Sequence, residues 1–154
     1  VSTKEKAELA MENGCEFIIN YKEEIISDKV MEITNNKGVP IVYDGVGKDT
    51  FDESIKSLST RGLMVSFGQS SGMVEKIDMH KTFNPKSLFY TRPSLMGYTL
   101  NREELINCSN KLFEKMKNRD VNPNICKKFK LKEAEDAHTM LQSRESTGSI
   151  ILEP

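Results

Sequence analysis

The sequence predicts an α/β fold, a parallel sheet with helices on both faces, from three features. Helix-period and strand-period segments alternate over the first 68 residues or so. The strands at Val39-Pro40-Ile41-Val42-Tyr43-Asp44 and Leu63-Met64-Val65-Ser66-Phe67 are nearly continuous apolar runs, the pattern of strands covered on both faces. The turns between segments are short, as in βαβ units with right-handed crossovers. Ligands of such sheets sit beyond the carboxyl ends of the strands. Asn20-Tyr21, Asp44-Gly45-Val46 and Phe67-Gly68-Gln69-Ser70 are three such ends.

The chain opens as a strand end at Val1 that runs into a helix. Ser2-Thr3-Lys4-Glu5 reads as a capping box in which Ser2 accepts from the Glu5 N–H. That helix carries Ala7, Leu9 and Ala10 and stops at Gly14. Glu16-Phe17-Ile18-Ile19-Asn20 is a short apolar strand. Ile25, Ile26, Val30 and Ile33 mark a second helix, ended by Asn35, Asn36 and Gly38. After the strand ending at Asp44, Gly45-Val46-Gly47 turns the chain. Phe51, Ile55 and Leu58 form the inner side of a third helix. Residues 69–86 read as a long loop. Ser87-Leu88-Phe89-Tyr90-Thr91 is strand-like, and Pro93 after it suits an edge position because proline lacks an N–H. Residues 103–117 form an amphipathic helix with Leu105, Ile106, Leu112, Phe113 and Met116 inward. Asn122-Pro123-Asn124 turns, and residues 131–142 form a last helix with Ala134, Ala137, His138 and Leu141 on one side. Ser149-Ile150-Ile151-Leu152 closes the sequence as a strand.

Composition sets outer bounds. A length of 154 residues suits one domain, and 37% hydrophobic with 29% charged residues is ordinary for a globular chain. A formal charge of -1 gives no broad attraction to nucleic acid or anionic lipid. No apolar run approaches the roughly 20 residues of a membrane span, and no signal peptide is apparent. Cys15, Cys108 and Cys126 are far apart and lack metal-binding spacing, so they read as buried or half-buried thiols in a reducing compartment, the cytoplasm. Asp44 reads as a turn-former rather than a general base, and His138 as a packed histidine.

Several strings carry more than periodicity. In order they are Ile19-Asn20-Tyr21-Lys22-Glu23-Glu24, Val42-Tyr43-Asp44-Gly45-Val46-Gly47, Arg61-Gly62-Leu63-Met64-Val65-Ser66-Phe67-Gly68, Tyr90-Thr91-Arg92-Pro93-Ser94-Leu95, Ala134-Glu135-Asp136-Ala137-His138 and Thr147-Gly148-Ser149. With them the chain resembles the C-terminal half of the NADPH:quinone oxidoreductases, the zeta-crystallin-like, zinc-free branch of the medium-chain dehydrogenase/reductase superfamily. The resemblance implies a Rossmann-type sheet, truncated so that its first strand and glycine-rich turn are missing. Residues 1–154 would be a partial NADPH-binding domain, and the segment from about 125 to 154 would return to a catalytic domain absent from this chain.

The resemblance also implies a cofactor site. NAD-preferring folds place an acidic residue at the strand end before the first helix, to bind the ribose 2′-hydroxyl. Ser2, Thr3 and Lys6 stand there instead, and hydroxyls with a cation suit a 2′-phosphate. On position alone the favoured reading is a helix cap and a solvated lysine, and the resemblance reverses that weighting. Tyr21 would lie by the same phosphate or the adenosine, and Val46 against the adenine. Phe67, Gly68, Gln69, Ser70 and Ser71 would border the nicotinamide ribose and carboxamide, Pro93, Ser94 and Leu95 the nicotinamide end, and Arg144 would reach the cofactor from the last helix. No catalytic side chain and no metal ligand is expected, because hydride passes directly from NADPH to the acceptor.

The expected activity of the parent is reduction of a quinone by NADPH, with the isolated chain inactive. The alternatives are an enal or enoyl reductase of the same superfamily, or a crystallin-like or RNA-binding role. The resemblance further implies a homodimer formed through the edge strand near Ser87-Leu88-Phe89-Tyr90-Thr91.

Overall fold

The structure, a computed structural model, describes residues 1–143 and 146–154. It divides into two compact units, Val1–Gly97 and Tyr98–Pro154.

The first unit is built on a three-stranded parallel sheet of order β1-β2-β3, from Val39–Asp44, Leu58–Ser66 and Phe89–Thr91. Its parallel α/β character is the one expected. Helix α1 (Lys4–Glu12) is capped by Thr3 rather than Ser2: Thr3 Oγ1 accepts from the Lys6 N–H at 3.3 Å. Thr3 has the extended backbone of an N-cap, so its hydroxyl reaches the first turn. Helix α2 (Ile26–Ile33) ends where Asn35 and Asn36 enter the left-handed region. Helix α3 (Phe51–Ser57) runs directly into β2, and Lys86 closes its end by donating to the Lys56 and Leu58 carbonyls at 2.7 and 2.6 Å. The core joins Phe51, Leu58, Met64 and Phe83, with Val42, Ile55 and Leu88 against it. Tyr90 of β3 packs its ring on Phe83 and Phe51 at centroid distances of 5.6 and 6.4 Å.

Two expectations for this unit are corrected. Glu16-Phe17-Ile18-Ile19-Asn20 is extended but is not a strand. Val1 donates to the Ile19 carbonyl and accepts from the Tyr21 N–H, and bonds to a single residue do not make a ladder. The supposed loop at 69–86 contains helix α4 (Met79–Phe83) and a 3₁₀ turn (Asn84–Lys86). Asp78 caps α4 by accepting from the Lys81 N–H at 3.0 Å. Five residues are too few for an apolar period to show, and the cap alone marks the helix.

Helix α5 (Leu95–Tyr98) lies where the two units meet in sequence. The second unit contains α6 (Arg102–Lys117), β4 (Ile125–Lys130), α7 (Ala134–Gln142) and β5 (Ser149–Glu153), with β4 and β5 paired in parallel. Asn101 and Glu104 form a full capping box at the start of α6. Its face expected inward is corrected: Leu105, Ile106, Leu112 and Phe113 are exposed. Amphipathic spacing identifies a face that suits burial; it does not supply the surface that buries it. Strand β4 escaped the sequence reading, because Lys127, Lys128 and Lys130 leave no apolar alternation to mark it. His138 is also corrected. It is exposed, at the rim of an apolar depression formed with Ala137, Leu141, Ile150 and Leu152. Cys15 and Cys108 are exposed rather than buried, and only Cys126 is half-buried. Among the described residues no helix is long and apolar enough to cross a membrane.

Candidate functional site

The carboxyl ends of β1 and β2 carry two loops that clasp each other. The Phe67 and Gly68 N–H groups both donate to the Asp44 carbonyl, at 2.9 and 3.3 Å. Ser70 N–H donates to the Gly45 carbonyl, and Ser71 donates to the Val46 carbonyl through its N–H (2.8 Å) and its hydroxyl (2.7 Å). Ser71 Oγ in turn accepts from the Asp49 N–H. Val46, Gly68, Gln69, Ser70 and Ser71, five of the sequence-predicted residues, are therefore held in one place. Phe67 lies beside them, its ring close against Gly45 and 59% exposed.

Glycine is required where the loops touch. A Cβ on Gly68 would stand 2.5 Å from the Gly45 carbonyl oxygen and 2.9 Å from its Cα, both backbone atoms that cannot swing aside. Gly68→Ala must push the loops apart, and we expect a loss of about 1–3 kcal/mol in chemical denaturation. Gly97→Ala, which meets nothing within 4 Å, should cost none of it.

Asp44 builds the turn. Its carboxylate is buried and accepts from the Val46 and Gly47 N–H groups at 2.8 and 3.0 Å, from Thr50 Oγ1 at 2.9 Å and from Ser54 Oγ at 2.7 Å. Burial pushes its pKa up, but the hydrogen bonds from Gly47, Ser54, Thr50 and Val46 outweigh burial and hold the carboxyl below its usual range. An anion so committed has no lone pair to spare for proton abstraction, in keeping with a turn-former.

A second corner lies at the start of the chain. The Tyr21 N–H donates to the Val1 carbonyl at 3.2 Å, so Tyr21 stands beside the segment leading to Ser2, Thr3 and Lys6. Ser2 and Lys6 are half-buried, whereas Thr3 and Tyr21 are exposed. Tyr21 also borders a groove of about 490 Å³ that crosses the start of α2 to Asp49, Thr50 and Glu53 of the α3 region. Glu53 ties the two helices: its carboxylate accepts from the Ser27 N–H at 3.0 Å and from Lys56 Nζ at 2.7 Å. The bond from Lys56, with those from Ser27, holds Glu53 down to about 2.

A pH dependence follows. Glu53 and Asp44 both have folded values below their unfolded ones. Each stabilises the fold in full above its unfolded value, and the contribution is lost as pH falls through the folded value. Thermal melting should hold level for these two groups down to about pH 5 and fall between there and about pH 2. Glu53→Gln should flatten part of that slope.

The third segment follows β3. Pro93 is half-buried, Ser94 exposed and Leu95 76% exposed at the start of α5. Arg92, which the sequence reading assigned no role, links this segment to the β2 loop. Its guanidinium donates to Gln69 Oε1 at 2.6 Å and to the hydroxyl of buried Ser66 at 3.3 Å. Its place in the Arg92-Pro93 string next to predicted site residues was the available signal. Arg144 lies outside the described residues. The structure thus groups the β1 and β2 loops firmly, ties them to β3 through Arg92, and sets Ser2, Thr3, Lys6 and Tyr21 in a separate corner.

Parallel strands with glycine-dependent loops at their carboxyl ends define an α/β protein whose clasped loops stand where ligands of such sheets sit. The chain belongs to the zinc-binding dehydrogenase family, whose model matches residues 1–116. Over 156 residues and the whole of this chain it is 43% identical to quinone oxidoreductase 1 of Escherichia coli (strain K12), of which it covers 48%. It is 41% identical over 155 residues to 2-haloacrylate reductase of a Burkholderia species, covering all of this chain and 46% of that one. Among solved structures, Escherichia coli quinone oxidoreductase complexed with NADPH superimposes with a TM-score of 0.94 at 44% identity, over 100% of this chain and 48% of the other. The chain spans about half the length of the curated relatives it matches. The metal in the family's name finds no fit here: among the described residues no group of three or more His, Cys, Asp or Glu side chains could hold an ion.

Proposed function

We propose that this chain is the cofactor-holding half of an oxidoreductase that reduces a quinone with NADPH. One observation supports the reading: the Tyr21 N–H bonds to the Val1 carbonyl, next to the segment that leads into Ser2, Thr3 and Lys6, the region where a Rossmann-type fold would meet the adenosine ribose. Lys6 and the hydroxyls of Ser2 and Thr3 would hold the 2′-phosphate, and Tyr21 would cover it. Val46, fixed by Ser71, would lie along the adenine. Phe67, Gly68, Gln69, Ser70 and Ser71, with Pro93, Ser94 and Leu95, would border the nicotinamide half, and Arg144 would add a cation. Bound NADPH would supply a hydride to the acceptor. The protein's share is to orient the two and exclude water, with no side-chain nucleophile or metal.

The reading places residues 1–154 as a partial NADPH-binding domain whose segment from about 125 to 154 returns to a separate catalytic domain. The unpaired edge of β3, with Phe89 62% exposed, suits pairing with a second copy, which makes the parent a homodimer. Exposed, unbridged Cys15 and Cys108 suit a reducing compartment, the cytoplasm. A second reading, reduction of a conjugated carbonyl such as an enal, is favoured by the 41% identity to 2-haloacrylate reductase.

Two measurements test the proposal. The full-length protein should oxidise NADPH in the presence of quinones, and a preference for enals would select the second reading. The isolated chain should bind NADPH far more weakly than micromolar, since it lacks a glycine-rich pyrophosphate turn whose hydrogen bonds are each worth about 1.5–3 kcal/mol. Micromolar binding by the isolated chain would overturn this expectation.

A further inference from the structure

We propose that Arg92 is a positioning residue that fixes which end of the Gln69 carboxamide faces the bound cofactor. The proposal rests on the NADPH reading given above. A glutamine amide presents a carbonyl acceptor at one end and an N–H₂ donor at the other, and free in solvent it turns either way. A guanidinium has five donors and no acceptor. Only the Gln69 oxygen can therefore meet Arg92 Nη2, and it does so at 2.6 Å. The orientation of the amide follows from the chemistry of its partner. Gln69 Nε2 is then the end left to face the cofactor, so Gln69 offers a donor and selects an acceptor oxygen.

The guanidinium is itself held in place. Its second arm donates to Ser66 Oγ at 3.3 Å, and Ser66 is 2% exposed at the end of β2. Arg92 and Gln69 line a small cavity of about 110 Å³ with Gly47, Ser66, Gly68 and Tyr90, at the mouth of the clasped loops. The latch thus runs from a buried hydroxyl through a planar fork to one amide on the β2 loop. Lysine cannot replace it, because a single ammonium lacks the two-armed geometry. The ligand group that Gln69 would meet lies on the nicotinamide side in the reading given above, whereas Lys6 and Tyr21 are assigned to the phosphate side.

The test compares two ligands on the full-length protein. NADPH carries the nicotinamide half, and 2′-phospho-ADP-ribose lacks the nicotinamide while keeping the phosphate corner. Arg92→Met should weaken NADPH by about 5- to 10-fold, the loss of one oriented hydrogen bond, and leave 2′-phospho-ADP-ribose unchanged. Gln69→Glu keeps an acceptor for Arg92 but removes the donor, so it should reproduce the same selective loss without lowering the melting temperature. Arg92→Lys should recover little of the loss. A merely structural arginine would weaken both ligands together or neither, and either result overturns the proposal. Undiminished NADPH binding by Gln69→Glu overturns it as well. If the wild-type protein bound neither ligand, the NADPH reading would fall first and the role of Arg92 with it.

Discussion

Asp44→Ala should destabilise the chain by about 3–5 kcal/mol, the largest stability effect expected of any single substitution in the first unit. The substitution leaves four donors without their acceptor: the Val46 and Gly47 N–H groups and the hydroxyls of Thr50 and Ser54. Hydrogen bonds to a charged group are worth about 1.5–3 kcal/mol each, and they do not add in full because the donors share one carboxylate. The two hydroxyls can turn toward other acceptors, whereas the two N–H groups are fixed by the turn. Against a typical total stability of about 5–15 kcal/mol the loss is severe. Asp44→Asn should be milder, at about 1–2 kcal/mol, because one oxygen still receives the N–H pair. Urea denaturation of the three proteins decides the matter. An Asp44→Ala variant within 1 kcal/mol of wild type would mean that solvent replaces the carboxylate. The functional consequence is displacement of Val46, which the same turn positions.

Much of the first unit is legible from sequence because its signals are local. The apolar runs that become β1 and β2 declare strands from their own residues, but the expected cover on both faces holds only for much of β2, since β1 leaves Ile41 and Tyr43 exposed. Asn35, Asn36 and Gly38 mark the end of α2 because they tolerate left-handed backbone, and all three adopt it. What escapes is what depends on a partner. The apolar stretch ending at Asn20 has the local marks of a strand, and among the described residues its long-range backbone bond joins the Ile19 carbonyl to Val1. The apolar face of α6 is correctly spaced and yet exposed. Local pattern states what a segment is suited to, and contacts at long range decide whether it gets there.

The candidate site divides along the same line. Strand ends and glycine turns point to the β1 and β2 loops from pattern alone, and the structure brings their residues together through direct hydrogen bonds. The contacts that make the clasp rigid are not readable in advance. Gly68 faces Gly45 across 23 residues of sequence, and nothing in either neighbourhood announces the other. Arg92 is similar: its partner Gln69 lies on another loop, and only the fold shows that one arginine serves two acceptors. Thr3 rather than Ser2 caps α1 because adjacent hydroxyls compete and the backbone angle at entry decides between them.

Lys6→Glu should weaken NADPH binding to the full-length protein by about 100-fold or more while leaving its weaker binding of NADH nearly unchanged. Lys6 lies in the first turn of α1, where Thr3 Oγ1 accepts from its N–H, so the cap fixes its backbone at the helix start. A 2′-phosphate brings nearly two negative charges. A charge-assisted bond to it is worth about 1.5–3 kcal/mol, or roughly 10- to 150-fold in affinity, and reversing the charge adds repulsion to that loss. The fold should not suffer with it. An acidic side chain at a helix N-terminus is favoured by the helix dipole by about 0.3–1 kcal/mol, which offsets the loss of the lysine's own contact, so the variant should melt close to wild type. That contrast separates recognition from folding, since a variant nearly as stable yet blind to the phosphate has lost only the recognition. Calorimetric titration with both nucleotides measures it. An equal loss for NADPH and NADH would remove the 2′-phosphate from Lys6, and no loss for either would return the residue to the solvated lysine that its position alone allows.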